Sequence, residues 1–309
     1  MKVVELGDES IWLEYYDAFS YLVLDAVRPL CHPRKLLHAG GSDKAIVLVH
    51  GLTDSPYSVS AIAMYFYTEL GYDVYLPLLQ CHGLKCANGM TGVRFAAWKD
   101  NVRFAVEVAA GGGRRVSIGG LSTGGGLAFH FAAVDSKVDG ELYLFSAAFG
   151  LYGWKRNLLT PLVEGLLKMP FIPWMTSSSS LLSDNPYRYS RVPVISAREL
   201  VYLIDENKQL LQHIEEGKAF ESRVFSVWSE VDVVVRIDLL EKFEAILAPG
   251  NFTPYVIPDK ANVAHACVVL AEPVYANDCS PGDSFLEPAN PHYHLMMDSL
   301  ARFEKQGRQ

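Results

Sequence analysis

The stretch from residue 116 to residue 132, VSIGGLSTGGGLAFHFA, constrains the fold of this chain more than any other. Val116 to Leu121 is a short apolar run with β-branched residues, which is typical of a buried parallel strand. From Leu127 onward, apolar residues return at helical spacing. Between them lies the pattern Gly-x-Ser-x-Gly, with Ser122 at its centre. A serine in so tight a strand-to-helix turn is predicted to have a strained backbone that lifts its hydroxyl clear of the sheet, so Ser122 is a candidate nucleophile.

The glycines of this pattern have a predicted packing role. A Cβ at Gly120 or Gly124 would collide with the neighbouring strand or helix. The alternative interpretation is a glycine-rich turn with an incidental serine. The nucleophile interpretation requires that a base, an acid and oxyanion donors occur elsewhere in the chain in the required order.

The rest of the chain alternates apolar strand-like runs with helix-like stretches. The predicted strands, besides 116–121, are Ala45–His50, Asp73–Leu76, Glu141–Phe145, Arg223–Trp228 and Phe252–Ile257. The predicted helices are Ser58–Leu70, Ala96–Ala110, the helix after Ser122, Ser196–Glu216 and Pro291–Lys305, and an N-terminal helix is indicated by apolar residues between Trp12 and Ala26. This alternation predicts an α/β fold with a doubly wound, mostly parallel sheet.

The expected organisation is one large core with two additions. Residues 1–44 form an N-terminal extension packed on the core, and residues 45–150 together with 196–309 form the core itself. Residues 151–195 are rich in large apolar side chains and broken by prolines, which predicts a helical cap insertion at the carboxyl edge of the strands, where such sheets bind ligands. A structural subdomain away from that edge is the alternative.

Composition excludes several classes of function. Hydrophobic residues make up 50% of the chain and charged residues 20%, so a sizeable core is expected. The net charge of −8 argues against a nucleic-acid surface. No apolar run approaches the ~20 residues of a membrane span, and the N-terminus lacks the features of a secretory signal. We therefore expect a cytoplasmic protein, monomeric or homodimeric.

The five cysteines show no metal-ligand spacing, and no phosphate-binding or dinucleotide-binding glycine motif is present. No metal or cofactor is therefore expected. Cys81 and Cys86 are near enough in sequence to form a disulfide, although reduced thiols are favoured in the absence of a signal peptide.

Three motifs together resemble the α/β-hydrolase superfamily, and within it the carboxylesterase and monoacylglycerol-lipase branch. They are HGLTDSP at 50–56, the serine turn at 120–124, and SEVDVV at 229–234. The resemblance covers roughly Lys44 to the C-terminus and implies the α/β-hydrolase fold. One departure is Cys81, which stands where the family's Gly-His-Gly turn has its first glycine.

The resemblance also implies a catalytic triad in the chain order serine, acid, histidine. Ser122 is the expected nucleophile, Asp232 the acid and His265 the general base. Glu230 and Asp238 are competing acids, and His292 and His294 are competing bases. The run Cys267–Leu270 after His265 predicts an extra strand, whereas the family has the start of a helix there.

The oxyanion hole is expected to consist of the backbone N–H groups of Leu52 and Thr123. His50 and His82 are interpreted as structural loop residues. The predicted activity is cleavage of carboxylic esters with short- to medium-chain or monoacylglycerol-like acyl groups, so the expected partner is a small-molecule ester. The alternatives are a peptidase or amidase of the same fold and a catalytically silent binding protein.

Overall fold

A computed structural model describes residues 6–86, 88–151, 185–276 and 284–307 of the chain. The strands in these ranges are β1 (Arg34–Leu36), β2 (Lys44–Val49), β3 (Asp73–Leu76), β4 (Arg115–Leu121), β5 (Leu142–Phe145), β6 (Val224–Ser229) and β7 (Phe252–Ile257). The α-helices are α1 (Leu13–Ala18), α2 (Ser60–Thr68), α3 (Phe95–Ala109), α4 (Thr123–Val134), α5 (Val194–Glu215), α6 (Ile237–Ile246) and α7 (Tyr293–Gln306). All six predicted strands are present, and their ends are within one residue of the predicted positions.

The strands form one sheet in the order β1-β3-β2-β4-β5-β6-β7. Every neighbouring pair is parallel except β1 and β3. The predicted doubly wound, mostly parallel sheet is therefore confirmed. Because parallel strands share a direction, the loops after β2, β4, β6 and β7 meet at one edge of the sheet.

Apolar side chains of the strands alternate between the two faces, as the period of two in a strand requires. In β2, Val47 and Val49 belong to the core on the face covered by α3, α4, α5 and α6. Ile46 and Leu48 belong to the core on the other face, which α2 and α7 cover. The central strands are thus buried on both faces, which explains why they read as continuous apolar runs rather than as alternating ones.

The N-terminal segment differs from the predicted single helix. It contains the six-residue α1 and a separate 3₁₀ turn at Leu24–Ala26, followed by the edge strand β1, which the sequence did not predict. Trp12 is 1% exposed and packs against Tyr75 of β3 with 5.3 Å between ring centroids. The Tyr15 hydroxyl donates to the carbonyl of Leu78 at 2.9 Å. Trp12 and Tyr15 of this segment thus contact the core, and β1 extends the sheet.

Most of the predicted cap lies outside the described residues, because 152–184 fall between two described ranges. The described residues after that gap form a short connection to α5, which begins at Val194. At the opposite edge from β1, the outermost strand is β7, which contains Pro254.

Candidate active site

Ser122 occupies a strained turn between β4 and α4. Its backbone has φ 53° and ψ −115°, a conformation that L-amino acids rarely adopt. Its N–H donates to the carbonyl of Phe145 at 2.9 Å, and its carbonyl accepts the N–H of Ala148 at 2.9 Å. These bonds to the β5 strand and the loop after it hold the serine in the strained conformation that the sequence pattern predicts.

The two glycines of the turn allow α4 to approach β2 closely. A Cβ at Gly120 would lie 2.4 Å from the carbonyl carbon of Gly124. A Cβ at Gly124 would lie 2.1 Å from the carbonyl oxygen of Val49. Real contacts of this kind do not occur, so both positions require glycine, as predicted.

Asp232 and His265 are hydrogen-bonded at the same edge of the sheet. Asp232 follows β6, His265 follows β7, and the His265 Nδ1 lies 2.7 Å from Asp232 Oδ2. The other carboxylate oxygen accepts the N–H groups of Val234 at 2.8 Å and Val235 at 3.2 Å. Burial alone would raise the pKa of Asp232, but the bonds from His265 and the two N–H groups lower it below its ordinary value. The carboxylate is therefore ionised and holds the imidazole by Nδ1, which leaves Nε2 available for chemistry.

The competing acids and bases have other partners. Glu230 accepts the N–H of Asp259 at 2.7 Å on the surface, and Asp238 pairs with Arg236. His292 precedes α7 and lies 3.3 Å from the Tyr255 hydroxyl. His294 is on the first turn of α7. Of the candidate acids and bases named from sequence, the structure brings together Asp232 and His265.

The segment around His265 corrects one prediction. Residues His265–Val269 form a 3₁₀ helix rather than part of an extra strand. Val268 and Val269 are fully buried against the sheet, which explains their β-branched character without a strand. Cys267 is buried with a free thiol, and Cys81 and Cys86 are also free, so they do not form a disulfide.

The loop after β2 lies beside Ser122. A Cβ at Gly51 would lie 3.6 Å from the Cβ of Ser122. The N–H of the next residue, Leu52, and that of Thr123, the first residue of α4, have no acceptor among the described residues. Two backbone donors without partners beside a strained serine can stabilise a negatively charged oxygen.

A buried ionic cluster next to this loop has no signal in the sequence. Arg188 Nη1 lies 3.7 Å from Asp54 Oδ1, and Arg188 Nη2 contacts Glu287 Oε1. All three side chains are less than a tenth exposed. Nearby, the N–H of Tyr189 donates to the carbonyl of Thr53 at 2.9 Å. The cluster ties the loop after β2 to two segments far away in sequence.

The described residues hold no group of three or more histidine, cysteine or acidic side chains arranged to bind a metal ion. In the same ranges, none of the helices combines the length and apolar character that crossing a membrane requires.

Comparisons with known proteins agree with this architecture. A family model described as "Alpha/beta hydrolase family" matches residues 46–291. The comparison with curated proteins returned no match.

Several solved structures share the fold at low identity. A structure of the metagenome-derived lipolytic enzymes LipS and LipT matches with a TM-score of 0.66 at 18% identity and covers 90% of this chain and 99% of that one. A soluble variant of monoglyceride lipase from Saccharomyces cerevisiae matches with a TM-score of 0.62 at 12% identity, covering 89% and 90%. A monoacylglycerol lipase from Paleococcus ferrophilus matches with a TM-score of 0.59 at 15% identity, covering 88% and 96%.

These structural similarities establish the fold, and the family model covers most of the chain. The strained serine turn, the sheet order and the matched residues agree with one another. The chain belongs to the alpha/beta hydrolase family.

Proposed function

We propose that this protein is a serine hydrolase that cleaves carboxylic esters through an acyl-enzyme intermediate. The observation that carries the proposal is the 2.7 Å bond between His265 and an ionised Asp232 at the sheet edge where the strained Ser122 emerges. The Asp232 side chain is fully buried, whereas the His265 side chain is 14% exposed. A buried acid that orients a more accessible imidazole is the arrangement that activates a serine hydroxyl.

In the proposed reaction, His265 Nε2 removes the proton of the Ser122 hydroxyl as its oxygen attacks the ester carbonyl. The resulting oxyanion accepts hydrogen bonds from the N–H groups of Leu52 and Thr123. His265 then gives the proton to the departing alcohol, and the acyl group remains on Ser122. Water, deprotonated by the same imidazole, releases the carboxylic acid and restores the serine.

For the substrate, we propose esters with short- to medium-chain or monoacylglycerol-like acyl groups. The support is the apolar composition of 151–195, which suits an acyl chain, together with the fold shared with two monoacylglycerol lipases. The cytoplasmic location and the monomeric or homodimeric state stay predictions from the sequence.

The test combines covalent labelling with a substrate panel. A fluorophosphonate probe is expected to label the wild type and not Ser122→Ala. A series of p-nitrophenyl esters of increasing acyl length is expected to be cleaved with a maximum at short or medium length. Turnover of amides without turnover of any ester would favour the peptidase alternative. Absence of both labelling and turnover would leave a binding protein and refute the proposal.

A further inference from the structure

Two buried histidines lie behind the loop that carries Leu52. The rings of His50 and His82 are 0% exposed, and their centroids are 5.0 Å apart. The hydrogen-bond partners of the two rings are Gly51, Leu79, Gln80 and Leu52, and neither Asp232 nor His265 is among them. Fully buried imidazoles are rare unless their nitrogens are hydrogen-bonded, so their partners indicate what they do.

The partners of His50 fix its tautomer. Its Nε2 lies 3.1 Å from the backbone N–H of Leu79, which can only donate, so Nε2 carries no proton. Its Nδ1 lies 2.9 Å from the carbonyl oxygen of Gly51, which can only accept, so Nδ1 carries the proton. Burial, with the neighbouring His82, lowers the pKa of His50 far below its ordinary value, in agreement with this neutral ring.

The bond from His50 determines the direction of the Leu52 N–H. The carbonyl of Gly51 and the N–H of Leu52 belong to the same planar, trans peptide group and point in opposite directions. The Gly51 carbonyl also accepts the N–H of Asp54 at 3.2 Å. These two donors hold the Gly51 carbonyl in one direction, so the Leu52 N–H of the same peptide group is held in the opposite direction.

His82 acts on the following peptide group. Its Nε2 contacts the carbonyl oxygen of Leu52, and its Nδ1 lies 2.9 Å from the carbonyl oxygen of Gln80. An edge-on contact with Trp98, at 5.7 Å between centroids, holds the ring. Both carbonyls can only accept, and burial lowers the pKa of His82, so the neutral ring has one N–H and can donate to only one of them. A favourable contact with Leu52 requires that N–H to be on Nε2, which leaves Nδ1 unprotonated beside the Gln80 carbonyl. The two rings together fix the peptide groups on both sides of the Leu52 Cα.

We propose that His50 and His82 are a pair of positioning residues that hold the Leu52 N–H in the orientation required to stabilise the oxyanion. This inference deepens the proposed ester hydrolysis and rests on it. Neither histidine exchanges a proton with substrate. A donor that is turned away from the reacting oxygen stabilises the transition state less and leaves substrate binding nearly unchanged.

The geometry allows a crossed rescue experiment, because the amide nitrogen of asparagine reaches about as far as histidine Nδ1 and that of glutamine about as far as Nε2. At position 50 the essential donor is Nδ1, so His50→Asn is expected to retain at least about tenfold more kcat than His50→Gln. At position 82 the essential donor is Nε2, so His82→Gln is expected to retain at least about tenfold more kcat than His82→Asn. KM for a p-nitrophenyl ester is expected to change by less than about threefold in all four.

His38 provides the matched control. It is half-buried and pairs at 3.1 Å with Asp73, the first residue of β3. The loop follows the opposite end of the parallel β2, so His38→Asn and His38→Gln are expected to have equal kcat values. If the wild type cleaves esters and the four variants at 50 and 82 lose kcat without the crossed pattern, or lose none, the positioning role is wrong and the proposed function stands. If the wild type cleaves no ester, the proposed function fails and the positioning role, which rests on it, fails too.

A measurement on the wild type keeps the proposal testable if a variant does not fold. Nitrogen-15 NMR of the histidine rings is expected to show His50 protonated at Nδ1 only and His82 protonated at Nε2. A proton on Nε2 of His50, or an unprotonated Nε2 in His82, would overturn the proposal without reference to activity.

Discussion

The close approach of α4 to β2 predicts a large effect of adding one methyl group at Gly124. The new Cβ would lie 2.1 Å from the carbonyl oxygen of Val49, whereas a normal contact of this type is about 3.3 Å. Because the clashing atom is backbone in the central sheet, the helix must move by about 1 Å. Overpacking of this kind costs about 1–3 kcal/mol, which lowers Tm by about 2–5 °C in a chain of this size.

The same movement displaces Ser122 and Thr123, which begin the helix. A displacement of about 1 Å at reacting groups costs about 10²-fold, so Gly124→Ala is expected to reduce kcat for a p-nitrophenyl ester by about that factor. The control is Gly92→Ala, because the surface position 92 has room for a Cβ, with 3.6 Å to the nearest atom, Cys81 Sγ. Calorimetry and steady-state kinetics of both variants give the comparison. A Gly124→Ala protein with the Tm and kcat of the wild type would refute the close packing described here.

Three further predictions concern buried charges. Asp232→Asn is expected to reduce kcat by about 10⁴-fold in steady-state assays, because the imidazole loses the partner that fixes its tautomer, and near-normal turnover would contradict this. The pKa of Asp232 is lowered in the folded state, so its stabilisation is present above the unfolded value of about 4 and is lost as the pH falls below it. The urea midpoint of the wild type is therefore expected to fall more steeply between about pH 5 and pH 3 than that of Asp232→Asn, and equal slopes would exclude the contribution. Arg188→Met removes the cation beside the buried carboxylates of Asp54 and Glu287 and is expected to lower the free energy of unfolding, measured in urea, by about 3–5 kcal/mol. The control, Lys35→Met, removes the exposed Lys35–Glu14 pair and is expected to lower it by less than about 1 kcal/mol.

The sequence predicted the central sheet well because its strands are buried on both faces. Residues such as Ile46 and Val47 must all be apolar, and their runs end at glycines or at turns. The strained serine turn was equally clear, since Gly120 and Gly124 have no tolerated substitute. Asp232 and His265 were named from a family resemblance, and the structure adds their contact, while their catalytic roles stay predictions.

Other features carried too little local signal. The strand β1 has three residues and contains two basic side chains, so its pairing with β3 depends on the sheet that is already there. The 3₁₀ helix at His265–Val269 contains two buried valines, and in the sequence such consecutive β-branched apolar residues resemble a strand. The contacts of Arg188 join segments about a hundred residues apart, and no pattern within either segment indicates the pairing.

The two outer strands of the sheet bear on how copies of this chain can associate. At one side the terminal strand has only three residues, and at the other Pro254 interrupts the row of N–H groups that a further strand would need. Short length and proline are both devices by which natural sheets resist the addition of foreign strands. A homodimer of this protein would therefore form through helical or loop surfaces rather than through a sheet continued across two subunits, and amyloid-like stacking would begin from neither side of the native molecule.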